Sequence, residues 1–192
     1  MGTRNLTIVH KNGKYKVAQY GQWDGYPEGL GVTLLNFLKG VNMNAFKNVI
    51  DDVSFYTQEE LEDIDKQIDE ARKNIPNFEW QRHYPHLSRD CGGEILTHIA
   101  FRGVTKVKNS IDFAADSLFC EWAYVIDLDT NKFEVYEGFN KEKLSSDERF
   151  YYLEEKSEGN YHPIKFVKAY DIDNLPDERI FVAELTPDDE EE

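Results

Sequence analysis

Two short runs of β-prone residues open the chain, Asn5–His10 and Tyr15–Tyr20, and Lys11-Asn12-Gly13-Lys14 separates them. Asn-Gly between such runs predicts a hairpin, because both residues tolerate the positive φ of a type I′ turn. The segment from Tyr20 to Gly31 then holds four glycines and Pro27, which forbid regular structure. Trp23 and Tyr26 are costly to leave in a floppy segment, so this loop is expected to be ordered. A helix follows over Val32–Leu38, stopped by Gly40, and a second covers Ala45–Ile50.

The clearest helical signal begins at Thr57, where Thr57-Gln58-Glu59-Glu60 has the form of a capping box. Leu61, Ile64, Ile68 and Ala71 recur at helical spacing, so one stripe turns inward and the acidic side chains face water until Pro76 ends the helix. Asn77–Asp90 reads as a polar, aromatic connection, with Asp90 placed to cap a helix over Gly93–Phe101. From Phe119 the pattern turns to strand. Glu121–Leu128 and Lys132–Tyr136 flank Asp129-Thr130-Asn131 as a second hairpin, and Ser146–Arg149 opens a short helix. Tyr161–Tyr170 and Ile180–Leu185 are further strand candidates.

Hairpins imply antiparallel pairing, and helices gathered in the middle of the chain must pack on sheet faces. The expected class is therefore α+β, an antiparallel sheet or sheets with the central helices packed on them. An α-β-β-α layered sandwich is one arrangement that satisfies it. Nothing in the chain reads as a linker or internal repeat, so residues 1–185 are taken as one domain and 186–192 as an acidic C-terminal tail.

Charge changes the picture more than any other bulk property. The 192 residues carry a formal charge of −15, unevenly spread. Residues 51–70 hold nine acidic side chains against Lys66 alone, and residues 171–192 hold ten against Arg179 alone. The rest of the chain is close to neutral. Such a protein repels nucleic acid, and no basic aromatic groove is visible to offset that. No apolar run is long enough to span a membrane, and the first residues lack the layout of a secretory signal. The chain does begin Met1-Gly2, but Leu6 stands where a myristoylation signal needs Ser or Thr. Two cysteines, Cys91 and Cys120, are too few for a disulfide scaffold. Together these features point to the cytosol.

Candidate chemistry is sparse. The loop offers flat aromatic faces and close backbone approach at Trp23, Asp24, Gly25 and Tyr26, with Arg4 beside it if the first strand starts there. Its glycine spacing matches neither phosphate-binding pattern. His83, His86, Cys91 and His98 are metal-ligand types, but no CxxC pair accompanies them and the spacing fits no zinc module. Cys91 ahead of a helix, with His83 or His86 as base, would have the logic of a Cys-His pair. Neither arrangement outweighs an idle thiol, so no catalytic residue, metal or cofactor is assigned. The acidic positions suited to a basic partner are Glu59, Glu62 and Asp63 on the long helix and Asp188, Asp189 and Glu190 in the tail.

The opening residues Met1-Gly2-Thr3-Arg4-Asn5-Leu6-Thr7, with Val17-Ala18-Gln19-Tyr20-Gly21-Gln22-Trp23-Asp24-Gly25-Tyr26-Pro27 and Gly29-Leu30-Gly31, resemble a family of uncharacterised phage, prophage and microbial proteins. The resemblance covers roughly the first 40 residues and carries no activity with it. It implies a mobile-element origin, where small acidic proteins inhibit host defence. The chain also resembles N-terminal nucleophile hydrolases in beginning directly with a strand and hairpin. Loss of Met1 would expose Gly2, however, with Thr3 one residue too late, so that resemblance implies a layered fold more than the activity.

The sequence thus leads to a non-enzymatic acidic binding protein, a phage-type inhibitor that grips a basic surface on a host protein. The alternative is a small-molecule or nucleotide binder built on the glycine-aromatic loop of residues 20–31.

Overall fold

A computed structural model describes residues 2–157 and 159–186. The first hairpin forms as its turn chemistry requires: Asn12 and Gly13 adopt φ of 55° and 69°, and β1 (Asn5–Lys11) folds back on β2 (Lys14–Gly21). A single wide turn, Pro27–Gly31, leads into α1 (Val32–Gly40), followed by α2 (Met43–Asp51). After the short β3 (Ser54–Phe55) comes α3 (Gln58–Asn74), whose capping box is complete. The Thr57 hydroxyl accepts the Glu60 N–H, and the Glu60 carboxylate accepts the Thr57 N–H. The short α4 (Trp80–His83), α5 (Glu94–Arg102) and β4 (Lys106–Val107) complete the first half.

The second hairpin is β5 (Trp122–Asp127) and β6 (Lys132–Glu137), and β7 (Lys165–Asp171) follows. The principal sheet has the order β2-β1-β5-β6-β7, while β3 and β4 pair as a small separate ribbon.

The α+β class stands, with one departure in the sheet. β1 and β5 run parallel, from Asn5 beside Trp122 to His10 beside Asp127, so the sheet is mixed. Every other neighbour in it pairs antiparallel, and this one needs the long crossover that α1 to α5 provide. Helices cover one face. Val9, Tyr124, Ile126, Phe133 and Val135 meet Leu34 and Leu35 of α1, Phe46 and Ile50 of α2, Ile95 and Ile99 of α5, and Phe181. On the opposite face Leu6, Ile8, Ala123, Val125 and Tyr136 lie under one-turn helical segments at Ile111–Ala115 and Tyr151–Lys156, through Ala114, Phe150 and Leu153. The layers are thus helices, one sheet, and irregular cover, rather than two stacked sheets. Both cores use the same strands, and β1 is buried from Asn5 to Val9 because it is covered on both sides.

Three local expectations are corrected. Ser146–Arg149 forms turns, and the helical segment near it is Tyr151–Lys156. Ile180–Leu185 belongs to a helix, α6 (Glu178–Leu185), not a strand. Asp177 caps it by accepting the N–H groups of Arg179 and Ile180, and Phe181 and Leu185, four apart, supply its buried stripe. Asp90 does not cap α5, whose preceding residue, Gly93, offers no side-chain cap; Asp90 instead accepts the Trp23 indole N–H at 2.8 Å. The tail positions Asp188, Asp189 and Glu190 lie outside the described residues. None of the described helices is long and apolar enough to cross a membrane.

Candidate functional site: a groove beside the acidic helix

α3 is a helix that its own protein covers poorly. Of its 17 residues only Ile68 is buried, and Leu61 and Ile64 of the apolar stripe remain half-buried. Acidic side chains in its first turn and Arg72 and Lys73 in its last complement the helix dipole, so the helix is electrostatically sound despite its exposure. It is moored at one end by Lys106, whose ammonium holds both Glu60 carboxylate oxygens at 2.8 and 3.0 Å. Midway, the Tyr84 hydroxyl donates to Gln67.

The uncovered stripe forms one wall of a cavity of about 510 Å³. Leu61, Ile64 and Ile68 face Trp80 and Leu87 across it, with Asp65, Asp69, Arg72 and Lys108 at the margins. An adjoining cavity of about 310 Å³ shares Leu87 and Lys108 and continues to Gln19, Tyr20, Arg89, Ser110, Asp112 and Phe113 at the edge of β2. Both volumes fall in the range of ligand-binding clefts. Within the second, the Tyr20 and Phe113 rings meet edge to face at 5.1 Å. Gln19 is buried there, and its Oε1 has no hydrogen-bond partner.

Glu59, Glu62 and Asp63 stand exposed on α3 as expected. Asp63 pairs with Lys66 at 3.0 Å, and Glu62 accepts from Gln58. Among the described residues Glu59, Glu62, Asp65 and Glu70 have no cationic side chain within ion-pair distance. Acidic side chains therefore outnumber their cationic partners on this helix, and Asp65 and Asp69 reach the margin of the apolar trough.

The aromatic loop is ordered, and the bonds that order it point to a structural duty. Asp24 takes φ of 54° and its carbonyl accepts the Leu30 N–H. The Gly25 N–H donates to the Thr3 carbonyl, and the Gly25 carbonyl accepts the buried Tyr124 hydroxyl at 2.8 Å. A Cβ on Gly25 would sit 2.8 Å from the Thr3 oxygen, so the close approach excludes any side chain. Trp23 and Tyr26 keep about half their surface exposed, at 50% and 47%. Arg4 lies with its guanidinium over the Phe119 ring at 4.6 Å. These residues close the end of the sheet and do not line the groove; the loop segment reaches it only through Tyr20.

The histidines and cysteines disperse. His86 accepts or donates at 3.0 Å to the Tyr56 hydroxyl and stacks on that ring, while His83 stacks on Phe78. Burial, and secondarily His98, lowers the His86 pKa. Burial pushes the Cys91 thiol up to about 12, and holds Cys120 well above the ordinary thiol value. Neither sulfur is a thiolate at neutral pH, which removes the basis of a Cys-His pair.

Sequence reasoning missed Trp80, Leu87 and Lys108. The signal for them was the stripe on α3: a helix that shows a 3.6-residue apolar period needs a counterpart, and Trp80 and Leu87 are among the large apolar residues in the connection that follows it. The chain matches no protein-family model, no curated protein and no solved structure.

Proposed function

We propose that this chain is a non-enzymatic binding protein that captures a basic, amphipathic segment of another protein in the groove along α3. One observation carries the reading. An apolar stripe of Leu61, Ile64 and Ile68 stays open toward Trp80 and Leu87, and Asp65 and Asp69 border it, Asp65 with no ion-pair partner among the described residues and Asp69 paired only with Arg72 at 3.4 Å. An amphipathic helix laid in such a groove buries its apolar face while its Lys and Arg side chains reach the acidic border. Opposite charge across the border sets register and raises the association rate. The N-terminal resemblance makes a basic component of host defence, met in the cytosol, the partner class to try first.

A synthetic amphipathic Leu/Lys helix, followed by fluorescence anisotropy, tests this. Glu62→Lys, Asp65→Lys and Asp69→Lys together are expected to weaken capture about 10-fold or more at low salt, with a smaller effect at high salt. Ile64→Asp should weaken it similarly at either ionic strength. Capture that ignores both changes would reject the groove.

A second reading, small-molecule binding, draws on Gln19, whose buried Oε1 lacks a partner beside Ser110, Arg89 and Lys108. It moves the expected ligand site from the loop to the neighbouring cavity.

A further inference from the structure

Outside the groove, the tips of the two hairpins meet and bring three metal-ligand types together. His10 stands at an irregularity in β1, where the pairing register shifts between Val9 and His10. Across the parallel pairing lies Asp127, and Asp129 is the first turn residue beyond Leu128. The His10 Nδ1 sits 3.4 Å from Asp127 Oδ2 and 3.3 Å from Asp129 Oδ2. This is the one group of its kind among the described residues, with all ligand atoms within 4.8 Å of one another.

Three features distinguish it from a chance meeting of charges. First, Nδ1 is buried and hydrogen-bonded to nothing, since neither carboxylate contact has hydrogen-bond geometry. A nitrogen directed between two oxygens, rather than at either, is placed for a shared atom. Second, the two spacings from His10 fit. Zinc bonds of about 2.0–2.1 Å in tetrahedral geometry put neighbouring ligands about 3.3–3.4 Å apart. Third, both carboxylates are already oriented. Asp127 Oδ1 accepts the Asp129 and Thr130 N–H groups at 2.9 and 3.0 Å, and Asp129 accepts those of Asn12 and Gly13 at 2.7 and 2.9 Å. Such outer bonds commonly fix metal ligands.

Arg149 also contacts Asp127 Oδ2, but it has an anchor of its own. Its Nε and Nη2 grip the two oxygens of Glu134 at 2.8 and 2.7 Å, so it keeps a bidentate partner if Asp127 turns to a metal. Asp127, Asp129 and Glu134 oppose the single guanidinium, which leaves two negative charges for a divalent cation to balance.

We propose that His10, Asp127 and Asp129 form a binding site for one divalent transition-metal ion, of which zinc fits the donor set and spacing best. Water completes the coordination on the side of Asp129, whose side chain is 34% exposed. The ion ties the turn of the first hairpin to that of the second, a structural duty separate from partner capture at α3.

The metal-stripped full chain, titrated with CoCl2, should take up one equivalent and develop the intense visible absorption of a four-coordinate site. ZnCl2 should abolish that absorption and raise the Tm. His10→Ala and Asp129→Asn, checked for native far-UV circular dichroism, should each weaken binding by roughly 10-fold or more, as loss of a ligand requires. Glu59→Gln with Glu62→Gln should not, which separates the site from loose cation binding to the acidic helix. Absence of saturable one-to-one binding would overturn the proposal. So would cobalt binding that survives both His10→Ala and Asp129→Asn.

Discussion

Replacing Arg149 with alanine is expected to cost about 3–5 kcal/mol of folding stability at neutral pH. Its guanidinium bonds two inward carboxylates, Asp127 and Glu134, and its own side chain is largely covered. Burial alone would raise the Asp127 pKa. Hydrogen bonds from Arg149, and from the Thr130 and Asp129 N–H groups, outweigh burial and bring it down to about 2. The sign of the pH dependence follows. A depressed carboxyl pKa stabilises the fold fully above the ordinary value of 3.8, and that contribution is lost as pH falls through the folded value near 2.

In the metal-free chain without Arg149, Asp127 and Glu134 must either stay charged without a guanidinium partner or take up protons. The penalty should therefore be largest near pH 7 and shrink toward pH 3. Urea unfolding of both proteins at several pH values measures it. A penalty that stays constant over this range would mean that Arg149 acts through packing and not through charge.

A second large loss is expected from Phe181→Ala, again about 3–5 kcal/mol, because it opens a cavity in a fully buried site. Phe181 stacks on Phe133 with ring centres 5.8 Å apart and leans on Tyr170 at 5.2 Å. It is the main attachment of α6 to the sheet. For a chain of this length the Tm should fall by roughly 10 °C or more. Ile180, its half-exposed neighbour, gives the control. Ile180→Ala should stay within about 0.5 kcal/mol, as exposed positions do. Similar losses at both positions would show that α6 does not dock through Phe181.

The contrast at Ile180 and Phe181 also shows where the sequence was legible and where it was not. Local signals were dependable. Asn12-Gly13 specified its hairpin, and the Thr57 capping box specified the start of α3, because in both cases the deciding interactions lie within four residues. Ile180–Leu185 failed because a short apolar run is ambiguous between strand and helix, and the decision rested on the Asp177 cap and the partners of Phe181. The parallel partnership of β1 and β5 was invisible for another reason: nothing in either strand records which distant strand will lie beside it. The candidate sites divide in the same way. The acidic face of α3 is written in its own residues, whereas the groove needs Trp80, Leu87 and Lys108, and the His10 cluster needs two hairpin tips brought together by that parallel pairing.

That pairing also has a consequence for synthesis. β1 gains its first partner as soon as β2 has left the ribosome, but its second arrives only with Trp122–Asp127. At about 5–20 residues per second, the gap lasts roughly 5–20 s. Throughout it, one border of β1 shows unsatisfied amides and carbonyls alongside Leu6, Ile8 and Val9, all destined for the interior. An open border of this kind recruits other strands indiscriminately. The nascent chain is therefore most prone to aggregate while β1, a strand covered on both faces in the finished fold, is still half bare, and overexpression at lower temperature or with a chaperone that shields extended segments should raise the soluble yield.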